Sequence, residues 1–260
     1  MSELTLRGRP VTVAGIGLLC PAGIGADGAI GGRPGPVPGF RAHAYVEDRK
    51  KLKLMGRSVQ LGVAAIRLSL ADVPGWTEIP PERRGMFVGA TPQAGDADDL
   101  RPALEAASDA EGVLSMSAFA ECGYPLIHPL WLVKGLSNNI LGFASAIHDF
   151  QGVNMNYCDE DEGGWTALCE GAQAVAEGRA DLVVAGGADA LVEAEPLFGG
   201  RRCGEGAAFL VFRPALPGET PLVLDRGAMD TEEDGLGYLG AASWPVAVAR
   251  RLLRISTLHA

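Results

Sequence analysis

The sequence predicts an α/β fold whose sheet is largely parallel and covered by helices on both faces. Short apolar runs alternate with longer segments of helical periodicity, which is the pattern of βαβ units. The apolar runs are nearly continuous, as they are in strands that are buried on both sides. The 260 residues are 47% hydrophobic and 21% charged, so the chain can bury a sizeable core.

The first half of the pattern follows from local composition. Residues 11–16 are apolar and rich in valine and predict a buried strand, and the glycines and prolines of residues 23–39 predict an irregular loop after it. Residues 59–70 place apolar side chains at helical spacing and predict a helix with a broad apolar face. Residues 85–89 predict a second strand.

The second half continues the alternation. Residues 132–150 predict a helix and residues 153–157 a strand. In residues 165–177 alanine, glycine, leucine and valine leave almost no polar face, so we expect a buried helix between two layers of structure. Strands at 182–185, 207–212 and 222–224 and a last helix at 246–253 complete the series.

Charge and composition exclude several classes of protein. The formal net charge is −10 and the isoelectric point is about 4.9, whereas nucleic-acid binding needs a basic footprint. The sequence shows no apolar run of the length that spans a bilayer and no signal-peptide plan at its start. Five cysteines without regular spacing do not form a disulfide framework. These features predict a soluble cytoplasmic protein with reduced thiols.

Four segments, taken in order, carry a family resemblance. They are Pro-Val-Thr-Val-Ala-Gly-Ile-Gly followed by Cys-Pro-Ala-Gly at 10–23, the basic stretch at 48–57, Gly-Arg-Ala-Asp-Leu-Val-Val-Ala-Gly-Gly-Ala at 178–188, and Gly-Glu-Gly-Ala at 204–207. Together they resemble the β-ketoacyl–acyl-carrier-protein synthases, the thiolase-fold ketosynthases. The resemblance implies a single ketosynthase-like domain over residues 1–260 with a thiolase-like layered fold. Its N-terminal half, residues 10–213, is largely complete, and residues 214–260 are a shortened remnant of the C-terminal half.

The resemblance also locates the family nucleophile, a cysteine at the start of the buried helix. The family's ungapped spacing, counted from Gly152 and from Ala185, places Asp161 at that position. Cys158 lies three residues earlier, and it could be the nucleophile only if a three-residue insertion followed it. A chain with Asp161 in place of the thiol cannot form the acyl thioester.

A second departure concerns the family's late histidines and lysine. After Asp161 the chain has one histidine, His259, and no lysine follows Lys134. Residues 237–243 are similar to a late family segment, but Tyr238 stands where that segment has histidine. The resemblance therefore implies that the middle of the second half is missing.

Asp161 has three open interpretations. With its acidic neighbours it could cap and charge the start of the helix, where acids concentrate. It could be a carboxylate with a raised pKa that acts as a general acid or base. The third is a metal site built from residues 159–162, which adjacent acids rarely form without distant ligands, so we predict no metal.

The basic run Arg49, Lys50, Lys51 and Lys53 stands out in an acidic chain. Such runs are often solvated surface. The alternative is a docking patch for an acidic acyl carrier protein or for the phosphate of its phosphopantetheine arm.

The resemblance then favours a condensation-inactive subunit of the chain-length-factor type. It would bind no cofactor of its own, act beside the phosphopantetheine arm of an acyl carrier protein, and pair with a full-length ketosynthase in type II polyketide or fatty-acid-type biosynthesis. The missing half would leave the helix face at 167–176 and the strand edge at 153–157 uncovered, so we expect an obligate partner, or a homodimer as the fallback. The alternatives are a stand-alone enzyme using Asp161 in decarboxylation, hydrolysis or cyclisation, and a non-enzymatic scaffold that binds carrier proteins.

Overall fold

The computed structural model describes residues 3–4, 6–91, 97–228 and 235–258. The strands are β1 (Glu3–Leu4), β2 (Val11–Cys20), β3 (Gly23–Ile24), β4 (Arg84–Gly89), β5 (Asn154–Tyr157), β6 (Leu182–Ala190), β7 (Glu205–Pro214) and β8 (Leu224–Asp225). The helices are α1 (Arg49–Leu52), α2 (Arg57–Ala71), α3 (Ala97–Ala107), α4 (Met116–Ala118), α5 (Trp131–Gly135), α6 (Asn139–His148), α7 (Glu160–Ala176) and α8 (Ser243–Leu258). Short 3₁₀ turns connect several of them, and β1 pairs only with β8 in a separate two-stranded ladder.

Six strands form one sheet in the order β3-β2-β7-β6-β4-β5. Strand β4 runs parallel to β5 and β6, whereas β7 runs antiparallel to both β2 and β6. The sheet is therefore mixed, and the predicted largely parallel arrangement is wrong. The cause lies in the connection from β6 to β7: residues 191–204 contain a 3₁₀ turn but no crossover helix, so the chain returns with the strand direction reversed.

Helices cover both faces of this sheet, as the sequence predicts. Helices α2 and α6 pack on one face, where Leu61 and Ile66 belong to one continuous apolar cluster. Helices α7 and α8 pack on the other face, where Leu168 and Val175 belong to a second cluster. The strands lie between these clusters, which explains why their sequences are apolar at successive positions.

Helix α7 is more completely covered than the sequence suggests. It lies between the sheet and α8, as expected for a buried helix, and Ala167, Leu168 and Ala174 have no exposed surface. The expectation that its apolar face stays open is therefore wrong. The reason is its small side chains, which let the backbone of residues 240–242 and helix α8 approach closely.

Helix α8 is held in place from the N-terminal side of the chain. The buried Arg250 guanidinium donates hydrogen bonds to the carbonyl of Ala29 at 3.2 Å and to that of Gly31 at 2.7 Å. Arg254 donates a further hydrogen bond to Ala29 at 2.7 Å. The glycine-rich loop predicted at 23–39 thus forms the seat of the last helix.

Three predicted elements depart most from the observed ones. The helix predicted over 132–150 is divided into α5 and α6, because residues 136–138 form a turn in which Ser137 and Asn138 favour non-helical backbone. The strand predicted to end at residue 185 continues through the glycines 186 and 187 as β6, and the strand predicted at 222–224 shrinks to β8. Helices α3 and α4 lie in a segment for which the sequence pattern predicts no element.

Candidate functional site

The turn between β5 and α7 has strained backbone. Strand β5 ends at Tyr157, and α7 begins at Glu160, which has a φ of 39°. Left-handed backbone is uncommon for a residue with a side chain and concentrates at functional turns. A sharp strand-to-helix turn of this kind presents its central side chain at the edge of the sheet, where nucleophilic residues of some enzymes lie. Glu160, one residue before Asp161, therefore occupies the strained position.

Asp161 itself is half-buried in the first turn of α7. None of the hydrogen bonds found among the described residues involves its carboxylate, and Asp159 at the N-cap position makes no side-chain capping bond. The charge of Asp161 still lies at the positive end of a 17-residue helix. The structure thus supports a favourable charge at the helix start without a side-chain cap.

Glu160 contacts the tyrosine that replaces the expected histidine. The hydroxyl of Tyr238 donates a hydrogen bond of 3.4 Å to Oε2 of Glu160. The ring is 5% exposed and lies against Arg201, whose guanidinium carbon is 4.0 Å from the ring centre, and against Phe198 at 5.3 Å. Burial raises the pKa of Tyr238, and the negative charges of Asp161 and Glu160 raise it further. The phenol therefore stays protonated at neutral pH and acts as a donor toward Glu160.

A buried carboxylate supports the same region from β6. Asp189 has no exposed surface, and it accepts hydrogen bonds from the amide of Thr91 at 3.1 Å, the hydroxyl of Thr91 at 2.5 Å and the amide of Ala241 at 2.7 Å. These bonds join the end of β4 to the turn that leads into α8. The sequence interpretation does not select Asp189. A usable signal exists, however, because an acid within an apolar strand, here after Ala-Gly-Gly-Ala, is expected to be buried and then needs hydrogen-bond donors.

Cys158 lies outside the strained position. It follows β5 directly and is exposed, its thiol donates a hydrogen bond to Oγ of Ser137 at 3.0 Å, and its sulfur accepts one from Nδ2 of Asn156 at 3.1 Å. The structure thus places a thiol near the turn but a carboxylate at its strained residue.

A second charged cluster covers the outer side of α7. Arg226 forms a two-pronged ion pair with Glu162, in which one hydrogen bond measures 2.7 Å. Its guanidinium lies 4.2 Å from the ring centre of Trp244, which in turn packs edge-on against Trp165 at 5.8 Å. This arrangement attaches the segment after β8 to the two covering helices.

The basic run forms the short helix α1. Asp48 caps this helix, because its carboxylate accepts hydrogen bonds from the amides of Lys50 at 2.8 Å and Lys51 at 3.3 Å, and these bonds lower the pKa of Asp48. Arg49, Lys50 and Lys53 are exposed, and Lys51 is half-buried.

A groove of about 330 Å³ adjoins this helix. Lys51 and Arg67 line it together with Ala146 and Ile147 of α6. Glu47 and Asp48 line the groove as well, and Arg67 forms an ion pair with Glu47 at 3.4 Å, so charges of both signs lie beside this apolar surface.

The described residues contain neither a membrane-spanning helix nor a cluster of metal-binding side chains. Within residues 3–4, 6–91, 97–228 and 235–258 no helix is long and apolar enough to cross a membrane. The same residues contain no group of three histidine, cysteine, aspartate or glutamate side chains arranged to hold a metal ion.

Comparison with known proteins is informative at the level of structure. Neither protein-family models nor curated proteins give a match to the sequence. A type II polyketide acyl carrier protein in complex with its ketosynthase bound to the hexaketide superposes with a TM-score of 0.63 and 17% identity over 79% of this chain and 62% of that chain. The ishigamide ketosynthase/chain length factor gives 0.62 and 21% over 79% and 58%. A β-ketoacyl synthase from Burkholderia phymatum gives 0.61 and 21% over 80% and 59%.

This chain therefore spans about three-fifths of the length of each of these structures. At these identities the likeness concerns the fold. The protein has the mixed α/β, thiolase-like fold of these ketosynthase structures.

Proposed function

We propose that this protein is a condensation-inactive, ketosynthase-like subunit of the chain-length-factor type, which partners an active ketosynthase in type II polyketide or fatty-acid-type biosynthesis. One observation carries the proposal: in a thiolase-like fold, the strained residue between β5 and α7 is Glu160 and not cysteine. The counted position, Asp161, is a carboxylate as well. Neither residue can hold an acyl chain as a thioester.

The environment of the turn supports the absence of condensation chemistry. A general base works best when its pKa lies near the working pH. Tyr238 is a neutral donor there, because burial and nearby carboxylates raise its pKa. We infer that the turn keeps the shape of a ketosynthase site but lacks its thiol nucleophile, and that Tyr238 supplies no base there.

The outer edge of β5 supports a partner subunit. In the described sheet β5 pairs only with β4, and Met155 on it is 51% exposed. Exposed apolar side chains also occur in residues 104–136, namely Leu104, Val113, Leu114, Met116, Tyr124, Leu126, Leu130 and Leu136, and Ser137, which follows this segment, contacts Cys158 at the end of β5. An open strand edge next to exposed apolar surface is typical of a subunit interface. We infer that a ketosynthase covers it, with a second copy of this chain as the fallback.

The basic helix α1 supports contact with an acidic carrier. Arg49, Lys50, Lys51 and Lys53 place positive charge on a protein of net charge −10. The adjoining groove of about 330 Å³ could take an apolar side chain of the same partner. We infer that an acyl carrier protein docks here and brings its phosphopantetheine arm, since one of the similar structures is an acyl carrier protein bound to its ketosynthase.

A second candidate function is a stand-alone enzyme that acts on a carrier-bound acyl group with Asp161 as general acid or base, in decarboxylation, hydrolysis or cyclisation. The contact between Glu160 and Tyr238 favours this candidate, because it pairs a carboxylate with a protonated phenol. That contact points to Glu160 more than to Asp161 as the acting group.

Intact-mass measurement after incubation with an acyl-carrier thioester tests the proposal. The wild-type protein should carry no acyl adduct, and the carrier-bound acyl group should remain unchanged. Glu160→Cys restores a thiol at the strained turn and should react with iodoacetamide faster than the matched variant Asp161→Cys. A stoichiometric adduct on wild-type Cys158 would contradict inactivity, and turnover by wild type that Glu160→Gln abolishes would favour the enzyme. Carrier binding together with a failure to co-purify with any ketosynthase would favour the scaffold.

A further inference from the structure

One histidine outside the candidate site lies in an unusual environment. His148 ends α6, and its ring packs edge-on against Trp76 at 6.0 Å. Phe150 contacts the same tryptophan at 5.9 Å. The Nε2 atom of His148 is buried, and no hydrogen-bond partner for it exists among the described residues. Because this buried nitrogen has no partner, the neutral form of the ring is far more stable in this environment than the charged form.

The charged groups around α6 do not favour an imidazolium ion. The elements that pack against it, or that carry Trp76, bear these charged residues: Arg57 and Arg67 on α2, Arg84 on β4, Lys134 on α5 and Glu78 on the turn at 76–78. Asp149 follows on the same segment, where its carboxylate accepts a hydrogen bond from Gln151. Burial lowers the pKa of His148 to about 4, and Arg67 adds to the effect.

The segment after His148 leads directly into β5. Arg84 is buried and donates hydrogen bonds to the carbonyls of His148 and Asp149, at 3.5 and 3.3 Å. The amide of Gln151 then donates to Pro81 at 3.0 Å, and that of Gly152 donates to Arg84 at 2.9 Å. The position of β5 at the sheet edge thus depends on how this segment is held.

We infer that His148 is a pH-sensitive latch, whose protonation releases residues 149–153 and so loosens strand β5. An imidazole in an open segment titrates near pH 6.5. Between about pH 6.5 and 4 the open form therefore binds a proton that the closed form does not, so acid favours opening and the latch is closed above pH 6.5. The latch itself does not rest on the proposed function. Its consequence for partner binding does, because β5 is the proposed interface.

Hydrogen exchange on the full chain tests the latch without any partner. After correction for intrinsic rates, the opening constant of amides 149–153 should rise more than tenfold between pH 7 and pH 5 in the wild type. In His148→Gln it should rise less than twofold, while His43→Gln, which changes an exposed histidine, should respond like the wild type. An unchanged opening constant in the wild type, or a full acid response in His148→Gln, would overturn the latch.

A direct titration covers the case in which His148→Gln is already open at pH 7. The ring of His148 in the wild type, followed by NMR, should titrate with a midpoint below about 5. A midpoint near 6.5 would overturn the latch. Either failure leaves the assembly proposal standing, since association at neutral pH does not depend on the titration.

Discussion

The α7 side of the sheet and its β5 edge adjoin each other, but the chain covers the first and leaves the second open. On the α7 side the chain closes on itself, because Gly164 and Gly187 bring their helix and strand directly against the carbonyl of Ala241. At the edge, β5 has one strand partner in the described sheet, and Met155 is half-exposed. The difference locates the proposed interface: the buried helix is covered from within the chain, and the edge is not.

The contrast also corrects the physical argument drawn from the sequence. The expectation of an open helix face assumed that covering α7 requires a second sheet. Alanine and glycine lower that requirement, since one helix can approach closely enough to cover the face. The case for a partner therefore depends on β5 and the neighbouring apolar surface rather than on α7.

The largest effect should come from disturbing the closed side. A Cβ atom on Gly164 would lie 1.9 Å from the carbonyl oxygen of Ala241 and 2.8 Å from Cδ of Pro245. Gly164→Ala should therefore lower the free energy of unfolding by about 3 kcal/mol or more, despite the better helix propensity of alanine. Urea unfolding measures it.

The matched control is Gly142→Ala at an exposed position of α6, where an added Cβ meets nothing within 4 Å. That change should stabilise the protein by about 0.5–1 kcal/mol. If Gly164→Ala stays within about 1 kcal/mol of wild type, the closed packing against Ala241 is wrong.

The next effect should appear at the open edge. Met155→Lys places a charge on the exposed strand and should weaken association with a ketosynthase, or self-association, at least tenfold, with little change in monomer stability. Sedimentation equilibrium and co-purification with a type II polyketide ketosynthase measure it. Ile30→Lys, at a residue that is 73% exposed in the loop after β3, at the opposite edge of the sheet, is the control and should assemble like wild type. Wild-type assembly by Met155→Lys would place the interface elsewhere.

A smaller effect should follow from loosening the cover over α7. Arg226→Ala removes the ion pair with Glu162 and the stacking on Trp244, and should cost about 1 kcal/mol of unfolding free energy. Arg226→Lys keeps the charge but loses the planar fork, so it should recover less than half of the loss. Tryptophan emission during unfolding reports both. Equal stability of Arg226→Ala and wild type would show that the cluster contributes nothing to closure.

Much of the fold could be predicted because its signals are local. Apolar runs locate β2, β4, β6 and β7, and helical spacing locates α2, α7 and α8. Strand direction could not be predicted, because it depends on which loop returns without a helix. The division of the predicted 132–150 helix depends on three turn residues inside an otherwise helical pattern, and α3 and α4 carry weak patterns of their own.

The residue that the sequence selects lies next to the strained position of the turn. Counting along a family pattern selects Asp161, but only backbone geometry shows that Glu160 has the left-handed conformation. The contact with Tyr238 joins residues 78 positions apart, and no local pattern in the sequence records such a pairing. Asp189 was missed for the same reason, since its donors come from Thr91 and Ala241 on other elements.

The smallest effect should come from Asp161. A capping aspartate replaced by alanine costs about 0.5–2 kcal/mol, but Asp161 makes no capping bond with any described residue and contributes only charge at the helix start. Asp161→Ala should therefore lower the free energy of unfolding by no more than about 0.5 kcal/mol. Asp161→Asn should show most of the same loss, because both changes remove the charge. Urea unfolding at low and high salt measures it, and the loss should shrink as salt screens the helix dipole. A loss near 2 kcal/mol that salt does not change would indicate a true cap. Loss of product formation with stability and partner binding intact would instead assign Asp161 a chemical role and favour the enzyme candidate.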